Sequence, residues 1–91
     1  MVKFVWDEIK RQRNIRLHGL DFAVVASDFD FLEALIEPSY SAADGRPRYT
    51  AIGPMGGDLT TVVFSMMGRE AISIISARRA SRKERKRYAE D

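Results

Sequence analysis

Hydrophobic positions along this chain change period once, and the change divides it into a helical first third and a strand-rich remainder. Phe4 and Trp6 flank Val5 in a short extended start. Asp7 comes next and suits a helix N-cap, because a short side-chain oxygen there accepts from the free amides of the first turn. The charged stretch from Asp7 to Leu17 is read as that helix. Asp7, Lys10, Asn14 and His18 are spaced by three, four and four residues, so on a helix they share one face within roughly two-ninths of a turn. Gly19 fits the left-handed position that ends it. Leu20 and Asp21 then read as the staple and N-cap of a second helix, with Phe22, Val25, Ala26 and Phe29 as its buried stripe.

Beyond Phe29 the pattern shortens. Segments 33–37, 48–53, 59–66 and 71–77 are rich in Ile, Val, Thr and aromatics, and are broken by Pro38, Asp44-Gly45, Pro54, Gly56-Gly57 and Gly68. The breaks are close enough for hairpins. They predict a four-stranded, mainly antiparallel sheet with Val62, Phe64, Ile72 and Ile74 on its buried face. Ser81 and Glu84 form a capping box that starts a last helix, which offers only Tyr88 and Ala89 for burial. The expected fold is therefore α+β: two N-terminal helices, the sheet and a basic C-terminal helix, in one domain spanning residues 1–91.

Composition narrows the class. A hydrophobic content of 45% with nine aromatic residues argues for a folded globule. Zero cysteines exclude a disulfide framework, and a single histidine leaves a structural zinc site without a plausible ligand set, so no metal or cofactor is expected. No signal peptide and no apolar run of membrane-spanning length is present, and the expectation is a soluble cytoplasmic protein. Charge changes the picture more. Seven of the fifteen Lys and Arg residues lie between Arg78 and Arg87 against one acid, so that segment carries +6 while the rest sums to −4. The overall +2 conceals a polarised molecule suited to a phosphate-bearing or acidic partner.

Within the basic segment, Arg78 and Arg79 follow a strand end and precede a helix whose first amides favour an anion. A planar guanidinium gives phosphate two parallel hydrogen bonds, which a lysine cannot. The structural alternative is that one arginine lies over the sheet and the other pairs with an acid from residues 21–37, which hold five acids and no base. His18 is the residue type that exchanges protons near neutrality, although it could equally cap helix carbonyls or stack on Trp6 or Phe22. Lys10 and Asn14 either bind phosphate or are simply solvated. Asp7 reads as a cap and a partner of Lys10. Glu84 is a candidate general base whose place in the capping box is the simpler account. Gly53-Pro54-Met55-Gly56-Gly57 lacks the Lys-Ser/Thr of a nucleotide-binding loop and reads as a hairpin turn. Ser65, Ser73 and Ser76 have no His and acid at a recognisable spacing, and Met66-Met67 reads as packing.

Phe4, Trp6-Asp7, Lys10, Asn14, His18-Gly19, Phe22, Ala26 and Phe29, followed by Arg48, Ile52-Gly53, Val62-Val63-Phe64, the run Ile74 to Arg79, Glu84, Arg85 or Arg87, and Tyr88, resemble the BrnT family. The resemblance covers nearly the whole chain, and Trp-Asp-x-x-Lys-x-x-x-Asn-x-x-x-His-Gly is its most specific part. It implies a RelE-like fold and a ribonuclease toxin of a bacterial type II toxin–antitoxin module. It also implies a BrnA-like antitoxin as partner, operator DNA bound only through the toxin–antitoxin complex, and a possible homodimer. Arg78, Arg79, His18 and Glu84 become the expected catalytic residues, with Lys10, Asn14, Arg48, Arg69, Arg82 and Arg85 expected on RNA. Two positions depart from the family pattern: Met67 and Ser73 stand where members often carry arginine. Arg69 could replace one of them if its loop turns inward; otherwise a weakened nuclease is expected. The competing class is a non-catalytic module that uses the basic helix to bind nucleic acid, or that binds the antitoxin, without cutting RNA.

Overall fold

A computed structural model of the protein describes residues 2–39 and 45–90. Its elements in chain order are β1 (Lys3–Trp6), α1 (Glu8–His18), α2 (Phe22–Asp28), β2 (Leu35–Pro38), β3 (Tyr49–Met55), β4 (Asp58–Met67), β5 (Ala71–Arg79) and α3 (Arg82–Glu90). The strands form one sheet in the order β1-β5-β4-β3-β2. The expected four strands become five, because the extended start is β1 and pairs parallel with β5, Phe4 opposite Ile72 and Trp6 opposite Ile74. The remaining pairs are antiparallel, so the sheet is mixed. A four-residue strand is too short to declare its period, and its partner lies at the far end of the chain.

Local signals act as their chemistry dictates. Asp7 accepts from the Ile9 amide at 2.9 Å and Asp21 from the Ala23 amide at 2.9 Å, capping α1 and α2. Gly19 takes φ 70° and ends α1, its amide bonding the Ile15 carbonyl. The β3–β4 turn is narrower than the glycine-rich stretch suggests. β3 continues through Gly53-Pro54-Met55, and only Gly56 (φ 59°) and Gly57 (φ 95°) turn, in the doubly left-handed form that matches strand twist. Gly53 serves a different purpose: a Cβ there would meet the Ala34 Cβ at 2.9 Å and the Phe29 ring at 3.1 Å. Of the predicted Asp44-Gly45 break, Asp44 lies outside the described residues.

One sheet face carries the core. Phe22, Val25 and Phe29 of the α2 region pack on Ala51, Val62, Phe64, Ile72, Ile74 and Ala77, with Phe4, Trp6 and Phe31 around them. Phe22 and Val25 are fully buried, each worth roughly 1.5–3 kcal/mol. Phe31 joins the ends of this layer, 4.7 Å from Phe29 and 5.7 Å from Phe64 between ring centres, both edge-on. The opposite face holds Ile52, Thr61, Ser76 and Arg78, as the strand alternation and the pairing Thr61–Arg78 require. There α3 covers Ile52 and Thr61, both fully buried. No helix among the described residues is long and apolar enough to cross a membrane.

Candidate nucleic-acid interface

Asn14 fixes where α1 stands against the sheet. β1 stops at Trp6, which leaves the next stretch of the β5 edge without a strand beside it. Asn14 fills that place: its side-chain nitrogen donates to the carbonyls of Ala77 at 2.9 Å and Leu20 at 2.8 Å, and its oxygen accepts from the Ala77 amide at 3.1 Å. The carboxamide does for Ala77 what a neighbouring peptide group would do. Asn14 is 4% exposed with its side-chain groups in use, so it is not a solvated surface residue. Asn14 therefore has a structural task, because a sheet edge must be satisfied when it is buried.

With α1 held there, its Lys10, Arg13, Leu17 and His18 face β5 across a cleft of about 300 Å³, which Asn14, Ile75, Ser76 and Arg48 complete. Ile75 is the extra residue of a bulge in β5, since Ile74 faces Phe64 and Ser76 faces Val63. The bulge turns neighbouring residues Ile75 and Ser76 to the cleft side while Ala77 returns to the core. No acid lines the cleft among the described residues. Arg48 enters from the segment before β3, and its Nε is buried with no hydrogen-bond partner. A buried, unmatched donor of a cation costs free energy, and an anion in the cleft would satisfy it. The His18 side chain makes no hydrogen bond among the described residues, and Lys10 forms no ion pair with Asp7. Arg13 and Ser76 are the polar members that sequence reasoning missed. Arg13 was visible as the i+3 neighbour of Lys10, whereas Ser76 needed the bulge.

Arg78 and Arg79 separate. Successive strand residues point to opposite faces, so the adjacent pair does not converge on one point. Arg78 lies on the cleft side, two residues beyond Ser76, and binds Glu84 through both terminal nitrogens at 2.6 and 2.9 Å. Arg79 points the other way, with its side chain 78% exposed and a loose contact to Asp58 at 3.4 Å. Glu84 sits in the predicted capping box, accepting from the Ser81 amide at 2.8 Å while its own amide donates to the Ser81 hydroxyl at 3.1 Å. The Thr61 hydroxyl adds a bond at 3.0 Å. Arg78, above all, holds the Glu84 carboxyl at about 2, and the Ser81 and Thr61 bonds reinforce this against partial burial. A carboxylate so reluctant to take a proton makes a poor general base near neutrality.

Neither arginine pairs with an acid from residues 21–37. Asp21 of that acidic stretch is bound by Arg11, at 2.8 and 2.9 Å, and Arg87 of α3 binds Glu37. Arg69 stays exposed in the β4–β5 turn, and the guanidinium beside Met67 comes from Arg46, whose Nη2 lies 2.8 Å from the Met67 sulfur. Arg82 and Arg85 are exposed on α3 and line no part of the cleft. Tyr88 anchors that helix by donating to the Glu33 carbonyl at 2.9 Å. No cluster of three or more His, Asp or Glu placed to hold a metal ion occurs among the described residues.

The family model for the ribonuclease toxin BrnT of type II toxin–antitoxin systems matches residues 6–84. The chain belongs to the BrnT family. Its fold is similar to the crystal structure of the Brucella abortus ribonuclease toxin BrnT, at 44% identity and a TM-score of 0.73, covering 90% of this chain and all of the other. No match is found among curated proteins. Membership makes the chain a ribonuclease toxin of a toxin–antitoxin system, with an α+β fold like that of BrnT.

Proposed function

We propose that this toxin cleaves RNA in the acid-free cleft between α1 and β5 without using a metal ion. The observation that carries the reading is the buried, unpartnered Arg48 Nε at a cavity lined by Lys10, Arg13 and His18. The ribose 2′-hydroxyl attacks the adjacent phosphorus while its proton passes to solvent water, negative charge builds on the phosphate oxygens, and the bond to the departing 5′-oxygen breaks as that oxygen takes a proton. Arg48 and Lys10 supply fixed positive charge for the developing oxyanions. His18 is the proton donor to the leaving oxygen. Arg78 flanks the cleft on the same sheet face.

Purified protein incubated with RNA in EDTA is expected to release fragments ending in 2′,3′-cyclic phosphate. Arg48→Ala and His18→Ala are each expected to slow this by about a hundredfold or more. Tight binding with RNA left intact would overturn the reading and favour the nucleic-acid-binding module. The partner that restrains the toxin is proposed to be a BrnA-like antitoxin, with operator DNA bound only through their complex. Copurification with the product of an adjacent short reading frame tests this. Residues 1–91 are read as one cytoplasmic, RelE-like unit able to form a homodimer, which light scattering of the purified chain would measure.

A further inference from the structure

Arg78 offers more than its bond to Glu84 uses. A guanidinium carries five N–H donors in a plane. The edge formed by Nη1 and Nη2 is filled by the two Glu84 oxygens, and Nη1 also reaches the Arg79 carbonyl at 3.4 Å. The edge formed by Nε and the second hydrogen of Nη2 has no partner among the described residues, and the side chain is 40% exposed. A second fork is therefore open to solvent while the first is locked. Glu84 cannot turn away, because its Oε1 accepts from Arg78, Thr61 and Ser81 at once. Thr61 is fully buried on β4 and Ser81 begins α3, so the sheet and the helix both fix that carboxylate.

The open fork lies beside the cleft. Ser76 lines the cleft, and Arg78 follows it by two residues on the same face of β5, roughly 7 Å along the strand. That distance is of the order of the step between consecutive phosphates in a single nucleic-acid strand. Building on the cleavage reading above, we propose that Glu84 is a positioning residue. It holds Arg78 by one edge so that the other edge receives a second phosphodiester, one nucleotide from the phosphate in the cleft. The Arg78–Glu84 pair is neutral overall, so this subsite acts through directed hydrogen bonds more than through net charge.

Glu84→Gln tests it, because Gln at the third helical position still completes a capping box and α3 is retained, which circular dichroism checks. An amide cannot accept both Arg78 donors, so the orientation is lost. The probe is an RNA tetranucleotide with a 2′-deoxy sugar at the cleavable step, compared with the matching dinucleotide. Positioning predicts roughly tenfold weaker tetranucleotide binding for Glu84→Gln and for Arg78→Lys, with the advantage over the dinucleotide lost and no further loss in the double variant. Charge alone predicts the opposite for Glu84→Gln, since it removes a negative group from the RNA face. Unchanged or tighter binding overturns the proposal. So does a collapse of kcat with disappearance of an ionisation limb from the pH profile, which would make Glu84 a base. If the wild type binds with this length dependence and cuts no RNA, the cleavage reading fails while the subsite stands.

Discussion

The two faces of the sheet are made by the same alternating strands, yet one is satisfied and the other is not. On the α2 side, Phe22, Val25, Val62 and Ala77 are fully buried among other apolar groups, and their stabilisation comes from removing surface from water. On the opposite side, Arg48 is buried at its Nε without a partner, and the cleft around it has three fixed or potential cations and no acid. The part of the first face under α2 is satisfied within the folded chain. The second leaves the Arg48 donor without a partner, a need that an anionic ligand would meet.

The sharpest break of this comparison lies in the dry face. Phe22→Ala is expected to cost about 3–5 kcal/mol, measured by urea denaturation, with activity falling only as the folded fraction falls. Asn14→Ala comes next, because it joins both faces. Loss of its bonds strands the Ala77 amide and carbonyl, and a cost of about 2–3 kcal/mol is expected, with slower cleavage because α1 no longer faces β5 in register. Arg48→Met should move the two properties in opposite directions. It removes the unmatched donor and is expected to raise stability by about 1 kcal/mol in a denaturant melt while cleavage falls about a hundredfold. A loss of stability in that variant would show that Arg48 is structural.

The smallest effect is the pH dependence of the ion pairs. Asp21 and Glu84 are each held at about 2 in the folded chain, mainly by Arg11 and Arg78 respectively, against ordinary values of 3.8 and 4.5. Depressed carboxyl values mean that the unfolded chain binds protons first as the pH falls. Their contribution is therefore complete above about pH 4.5 and is lost on the way down to about 2. The melting temperature is expected to drop across that window, and to drop less in Glu84→Gln.

Much of the fold was legible because its signals are local. Asp7 and Asp21 as caps, Gly19 as the helix end and Ser81 with Glu84 as a capping box each depend on neighbours within a few residues, and all four act as read. Val62, Phe64, Ile72 and Ile74 were legible as core through period-two spacing. The candidate site was legible only in pieces. Lys10, His18 and Arg48 lie together in the cleft, and Asn14 lines it with them while its carboxamide replaces a strand at the β5 edge. Nothing near Asn14 in the sequence announces that β1 ends short of Ala77.

By itself, the sequence determined which segments are helical and which of the later ones are extended, where the helices are capped, and that the basic charge gathers near the C-terminus, because propensity, capping and composition act over short distances. Tertiary structure decided the rest. It paired Lys3–Trp6 with Ala71–Ile74, inserted the bulge at Ile75, sent Arg78 and Arg79 to opposite faces and brought Arg48 to Lys10 and His18. Each of these depends on strand register and long-range pairing, and a shift of one residue in either exchanges one face of the sheet for the other.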